Sequence, residues 1–386
     1  MFHMAKEDEI LEGKITDVYF DRTQRILKKK DITCNVRAEF VAKNLPENWE
    51  WAIFAGLEEV LYLLKDIPVN VRAMKEGTVF HCDEVVLEIE GNYQDFCKYE
   101  TAILGMICQA SGIATKAARF KKLAEERLVI SFGARRMHPS IAPMIERSAY
   151  IGGCDGVSVI KSGELLGEEP MGTIPHALVL CLGSTLESIK AFDEFIDTEV
   201  NRVALIDTFN DEKFECLNIA KEMGDKLFAV RFDTPSSRRG NFYRILEESR
   251  WELDLRGYEN VKIFVSGGIQ EDSIKSLNSL VDAYGIGTAI SNAPVVDFSM
   301  DIVEINESPL AKRGKCSGAK TVLKCLKCNK YMIKPLEKKL NHCKCGGSYQ
   351  ELIYPFIKNN SILDELPEPG RIREYVLKQI KEVEIR

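Results

Sequence analysis

Val261-Lys262-Ile263-Phe264-Val265-Ser266-Gly267-Gly268-Ile269 is the stretch on which the fold turns. A short β-rich run ends in a serine and two glycines, and a helical pattern follows. Ala283 to Ile286 repeats the plan and closes in Gly285-Ile286-Gly287-Thr288. Upstream, Leu128 to Phe132, Gly156 to Ile160, Arg202 to Ile206 and Leu227 to Phe232 read as further strands, each followed by a helical pattern. Strands alternating with helices of this length predict parallel βαβ units. Val203 to Ile206 and Leu227 to Val230 are nearly unbroken apolar runs, which predicts burial on both faces in a barrel or doubly wound sheet. No Gly-x-Gly-x-x-Gly follows the first of these strands, and polar residues stand at the C-terminal ends of most of them. Both features favour a barrel, where those ends converge on one site.

The converging residues are Arg135 and Arg136, Asp155, Asp207, Arg231 and Asp233, Ser266-Gly267-Gly268, and Gly285 to Thr288. Glycine lets backbone N–H groups approach an anion, so the two late glycine clusters suit phosphate. The arginine forks suit carboxylate or pyrophosphate, and Asp207 and Asp233 suit ribose hydroxyls or a Mg²⁺ carried by a polyphosphate. The mixture fits a sugar phosphate. A structural ion pair is the alternative for Arg231 and Asp233. A lone histidine such as His176 is by composition more often a packed core residue than a catalytic one, and His138 is equally ambiguous.

Outward from this region, Trp49 to Lys65 has helical spacing, and Val69 to Ala73 and Thr78 to Glu90 read as strands around Lys75-Glu76-Gly77. Together they predict a small α+β domain. Asp95 to Glu126 reads as two helices divided at Ser111-Gly112. The 386 residues suffice for two or three domains, and 45% apolar with 29% charged residues excludes wholesale disorder. A net charge of −7 argues against a whole-molecule footprint for nucleic acid or anionic membrane. Met1 to Ile10 lacks an apolar leader core, and runs such as Ala102 to Cys108 fall short of a membrane span, so a cytoplasmic protein is expected.

Of twelve cysteines, eight are scattered and read as reduced core residues. The other four, Cys325-x₂-Cys328 and Cys343-x-Cys345, are fourteen residues apart and predict a closed structural Zn²⁺ site, with His342 as a substitute ligand. Lys312 to Lys344 carries eleven Lys or Arg and one acid, Glu337. That run is a solvated face, a wall for polyanions, or a nucleic-acid surface.

Ser111-Gly112-Ile113-Ala114-Thr115, Phe132-Gly133-Ala134-Arg135-Arg136, Gly172-Thr173-Ile174-Pro175-His176, Ile206-Asp207-Thr208-Phe209, Val230-Arg231-Phe232-Asp233-Thr234 and Val265-Ser266-Gly267-Gly268-Ile269 resemble, in this order, the nicotinate phosphoribosyltransferase family. The resemblance covers Thr16 to about Ile305, and the cysteine ribbon makes it most similar to the archaeal form. It implies a type II phosphoribosyltransferase: an N-terminal α+β domain (residues 1–112, joined by C-terminal segments), an incomplete α/β barrel (113–295), and a C-terminal region (296–386) with a small zinc ribbon at 320–350. It further implies a homo-oligomer built on a dimer with shared active sites. The implied reaction joins nicotinate to phosphoribosyl pyrophosphate and is coupled to ATP hydrolysis through a phosphorylated histidine, matched by His176.

By the same resemblance Phe132, and Tyr19 of a partner subunit, stack on the pyridine. Arg135 meets its carboxylate or the pyrophosphate. Arg136, Asp207, Arg231 and Asp233 surround ribose and Mg²⁺-pyrophosphate, with His138, Asp155, Thr208 and Thr234 as further substrate contacts. Ser266, Gly267, Gly268, Gly285, Gly287 and Thr288 take the ribose phosphate. Thr234-Pro235 stands where the family often has serine and glycine. Quinolinate phosphoribosyltransferase is the nearest rival, with the Gly-Thr-Ile-Pro-His string against it. A zinc-ribbon nucleic-acid-binding protein is the rival from another class.

Overall fold

The structure, a computed structural model, describes residues 2–338, 340, 342–363 and 365–385. Its contacts divide the chain into two compact units, one of Met1–Thr115 with Pro294–Arg386, the other of Lys116–Ala293.

The first unit is built on a seven-stranded antiparallel sheet in the order Ser308–Pro309, Phe298–Ile305, Asn35–Ala42, Val85–Asn92, Val69–Ala73, Tyr354–Lys358, Ser361–Ile362. Alternation explains its central strand. Val36, Ala38, Phe40 and Ala42 enter the core, while Arg37 and Glu39 on the other face are matched by Glu88, Glu90, Glu304 and Lys320. The helix expected over Trp49 to Lys65 is confined to Leu57–Leu64. Trp49 begins no helix because Ala52–Ile53 pairs with Val79–Phe80, and the chain turns at Gly56 with φ +93°. A Cβ there would stand 2.7 Å from the Met106 carbonyl, so the turn requires glycine. The strand expected over Thr78 to Glu90 is two strands, Val79–Phe80 and Val85–Asn92.

The expected break at Ser111-Gly112 is also corrected: Glu100–Ala124 is one helix of 25 residues. Both break signals are packing devices. The Ser111 and Thr115 hydroxyls accept the N–H groups of Ala55 and Ile53 at 3.0 and 2.8 Å, and a Cβ on Gly112 would lie 2.2 Å from the Pro294 carbonyl.

The second unit carries a five-stranded parallel sheet in the order Leu128–Ser131, Ala283–Ile286, Lys262–Val265, Ala229–Phe232, Val203–Leu205. Ile130, Val203, Ala229, Phe264 and Ala283 pack together, with Phe132 against them. The expected strand Gly156 to Ile160 is not formed; Gly156 makes a single parallel bridge to Ile130. Instead the fully buried Glu146 carboxylate accepts the N–H groups of Ser158 and Val159 at 3.0 and 2.9 Å and the Ser158 hydroxyl at 2.7 Å. These donors would otherwise bond a neighbouring strand. From there to Val203 the chain runs through the helices Ile160–Leu166, His176–Leu182 and Thr185–Phe195, so the barrel stays incomplete, as the resemblance implies.

The long helix contributes a buried ion triad to this unit. Lys116 Nζ meets Glu271 at 2.9 Å, and Arg119 binds both its oxygens at 3.1 and 2.8 Å. Burial pushes the Glu271 carboxyl up, but the two cations outweigh it and hold it below the usual glutamate value. A depressed carboxyl stabilises the fold above the unfolded value and loses that contribution as pH falls through the folded one. Melts of wild type and Glu271→Gln should therefore differ most at neutral pH and converge below about pH 4. A gap that is constant with pH would contradict this.

Candidate active site and metal centre

Phe232, the last residue of Ala229–Phe232, leads straight into Asp233, whose carboxylate is the hub of the second unit's polar cluster. Its Oδ2 accepts from Arg231 Nη2 at 3.0 Å, and its Oδ1 accepts the Ser266 hydroxyl at 2.7 Å. Arg231 Nε donates to Ser266 Oγ at 3.0 Å, and its Nη1 bonds the Thr173 hydroxyl. The pair is thus the ion pair weighed from sequence, and it is also tied to two neighbouring loops. Arg231 lies 5.8 Å over the Phe132 ring, a cation–π distance.

His176 opens the helix His176–Leu182, with Pro175 as its cap. Its Nδ1 is 3.0 Å from Thr208 Oγ1, and its Nε2 is 3.5 Å from Asp233 Oδ2 and 3.8 Å from Asp207 Oδ2. The imidazole is 40% exposed, whereas the Asp207 side chain is 2% exposed. Burial pushes the Asp207 carboxyl up, His176 pulls it back, and Asp233 adds repulsion. Neither Asp207 oxygen has a hydrogen-bond partner among the described residues. A buried carboxylate left so is costly unless a hydroxyl or a cation meets it, so Asp207 and Asp233 fit a Mg²⁺ that neutralises a polyphosphate.

The glycine clusters lie at the ends of the strands Lys262–Val265 and Ala283–Ile286. Gly267 and Gly268 have φ of +79° and +66°, and a Cβ on Gly267 would stand 2.8 Å from Asp233 Oδ1. A Cβ on Gly285 would lie 2.6 Å from the Phe132 ring, so that glycine makes room for the aromatic face. Gly287 precedes the short helix Thr288–Ser291. Thr234 donates to Glu212 Oε1 at 2.7 Å. Arg135 and Arg136 are exposed in the turn Ala134–Arg136. His138 Nδ1 lies 2.6 Å from the Ser140 hydroxyl. Asp155 bonds elsewhere: its Oδ2 accepts from Lys121 Nζ at 2.9 Å and Val129 N–H at 2.8 Å. Tyr19 belongs to the first unit, exposed on the helix Val18–Lys29 with its ring 4.3 Å from Phe20.

Sequence reading passed over Thr173 as a ligand of Arg231, and Arg239, which bonds three loop carbonyls. The signal for Arg239 was the Arg238-Arg239-Gly240 string that begins five residues beyond Asp233, at the end of the short helix Ser236–Arg239.

In the first unit, Cys325, Cys328, Cys343 and Cys345 place four Sγ atoms within 4.8 Å of one another, with pairs at 3.5 and 3.8 Å. Thiolates about 2.3 Å from one tetrahedral ion are about 3.8 Å apart, so the set fits a metal and leaves no open position. His342 is exposed, bridges to Ser348, and is not among the clustered ligands. A Cβ on Gly347 would stand 2.8 Å from Cys325 Sγ, so the knuckle needs glycine there. The scattered cysteines are not uniformly core: Cys82 and Cys316 are exposed in connecting segments, and Cys181 is exposed on the helix His176–Leu182. Part of the basic run is paired with acids: Lys315, Lys320 and Lys324 are largely buried against Asp301, Glu39 and Glu382, and the exposed Lys312 also meets Asp301. No helix among the described residues is long and apolar enough to cross a membrane.

Family models described as the N-terminal and C-terminal domains of quinolinate phosphoribosyl transferase match residues 17–111 and 113–301. A crystal structure named as nicotinate-nucleotide pyrophosphorylase from Pyrococcus furiosus is 54% identical, covers 100% of this chain and 99% of its own, and superposes with a TM-score of 0.97. Human nicotinic acid phosphoribosyltransferase shares the fold at 18% identity, with a TM-score of 0.76 over 95% of this chain and 93% of that one. A nicotinate phosphoribosyltransferase of Bacillus subtilis is 26% identical over 310 residues, 70% of this chain and 62% of the relative's length. On the two domain matches and the full-length likeness, the chain belongs to the type II phosphoribosyltransferase family.

Proposed function

We propose that the chain is a nicotinate phosphoribosyltransferase of NAD salvage. The observation that carries this reading is the cluster of His176, Asp207, Asp233, Arg231 and Ser266 beside the Gly267-Gly268 turn. The names of the relatives support it. Nicotinate N1 forms a bond to the anomeric carbon of phosphoribosyl pyrophosphate as the bond from that carbon to pyrophosphate oxygen breaks, giving nicotinate mononucleotide and pyrophosphate. The transition state resembles an oxocarbenium ion, so catalysis requires positioning and charge stabilisation more than a strong base. Arg231, fixed by Asp233, Ser266 and Thr173, offers a rigid cation to the substrate anions. Phe132 and the exposed Arg135 and Arg136 serve the pyridine and the pyrophosphate. Tyr19 reaches the pyridine from a partner subunit, in a homo-oligomer built on a dimer. Asp207 and Asp233 would hold Mg²⁺, which would supply neutralisation of the leaving pyrophosphate.

His176 is the phosphoacceptor for ATP: its imidazole is part-exposed, and its ring is held between Thr208 and the two carboxylates. The cysteine centre takes structural Zn²⁺, and the protein works in the cytoplasm.

The test is product formation from Mg²⁺-phosphoribosyl pyrophosphate with nicotinate, nicotinamide or quinolinate as separate acceptors, each with and without ATP. Nicotinate mononucleotide from nicotinate alone, faster with ATP, is expected. The same product from quinolinate with loss of carbon dioxide would establish the rival reaction. In His176→Ala the ATP stimulation should vanish while ATP-independent transfer persists; unchanged stimulation removes His176 from the coupling.

A further inference from the structure

Arg239 lies outside every motif that led to the site, yet its guanidinium reaches both strand-end loops of the polar cluster. Nε donates to the Thr234 carbonyl at 2.7 Å, and Nη2 donates to the carbonyls of Ser266, at 2.9 Å, and Gly267. The group is part-buried and lies 4.6 Å over the Phe242 ring, which restrains its plane. A planar fork can hold three carbonyls at fixed angles, which an ammonium cannot.

The consequence lies in the peptide units. In a planar trans peptide, C=O and N–H point in opposite directions. The carbonyls of Ser266 and Gly267 belong to the same units as the N–H groups of Gly267 and Gly268. With the carbonyls drawn to Arg239, those two N–H groups are turned away from it, and among the described residues neither donates to a backbone carbonyl. Both glycines are left-handed, at φ +79° and +66°. Successive N–H groups in a turn of this kind form a concave nest for an anion. The adjoining Asp233 and Ser266 are already bonded to Arg231 and to each other, so they leave the nest to an incoming oxygen anion.

We infer that Arg239 is a positioning residue that presets the Gly267-Gly268 nest for the phosphate of the phosphoribosyl substrate by anchoring the carbonyls of Thr234, Ser266 and Gly267. The inference rests on the phosphoribosyl reading above. Arg239 does not touch the anion; it orders the groups that do.

The experiment measures ribose 5-phosphate binding by calorimetry, and the separate KM values for phosphoribosyl pyrophosphate and nicotinate, in wild type, Arg239→Met and Arg239→Lys. Methionine keeps an apolar stem over Phe242 and removes every donor; lysine keeps the charge and loses the fork. Arg239→Met should weaken ribose 5-phosphate binding by about tenfold or more and raise the KM for phosphoribosyl pyrophosphate in parallel, with the KM for nicotinate within about twofold. Arg239→Lys should recover little of the loss. Should Arg239→Met not fold, Arg239→Lys alone decides. Unchanged ribose 5-phosphate binding in the variants, full recovery in Arg239→Lys, or an equal rise in both KM values would each overturn the inference. Wild type that binds no ribose 5-phosphate would instead remove the phosphoribosyl reading, and the role of Arg239 with it.

Discussion

Asp233→Asn is expected to lower kcat/KM for phosphoribosyl pyrophosphate by about a thousandfold, about 4 kcal/mol of lost transition-state stabilisation, with little change in the KM for nicotinate. The size follows from how many groups this one carboxylate fixes. Oδ2 bonds Arg231 and faces His176 Nε2 at 3.5 Å, while Oδ1 takes the Ser266 hydroxyl. An asparagine presents an NH₂ to one of those neighbours. Placed toward Arg231, it sets donor against donor; placed toward Ser266, it forces that hydroxyl to rotate and lose its bond. In either orientation the Arg231 charge is left without its counterion, and a Mg²⁺ held there as proposed would lose a carboxylate. Steady-state kinetics with each substrate varied in turn checks the expectation. A loss below about tenfold, or one confined to nicotinate, would assign Asp233 to structure rather than to the phosphoribosyl group.

Cys325→Ser should remove the bound metal and lower the thermal midpoint by about 10 °C or more, while the transfer rate measured well below the transition stays within about twofold. Cys325 is the buried member of the four-thiol set and ends Lys320–Cys325, the middle strand of the sheet that also contains Tyr331–Pro335 and Tyr349–Glu351. Losing its thiolate therefore costs the coordination and loosens the strand that carries it. Elemental analysis beside a melting curve reads both effects, and a full equivalent of zinc in the variant would refute this ligand set.

The candidate cluster could be laid out from the sequence because its members sit at repeating addresses. Asp207, Asp233 and Ser266 each follow a short apolar strand, and parallel strands bring their C-terminal ends together whatever lies between them in sequence. Glycine was the harder residue to read. Gly112 and Ser111 carried the composition of a helix break, but their small size and hydroxyl serve contacts with Pro294 and Ala55 that are remote in sequence. Gly156 to Ile160 had the composition of a strand and lost its ladder to Glu146, a residue whose burial no local pattern announces.

The sequence by itself determined the class of fold, five of the six parallel strands it laid out and the cysteine centre, since periodicity and ligand spacing are local and survive without knowledge of neighbours. Only the tertiary structure decided which polar residues face one another. It joined Arg231 to Thr173 across 58 positions and laid Arg239 on the Ser266 and Gly267 carbonyls. It turned Asp155 to Lys121 and drew four lysines of the basic run onto acids. Hydrogen bonds and ion pairs act over a few ångströms, so their partners are fixed by packing, and packing is settled by the whole chain.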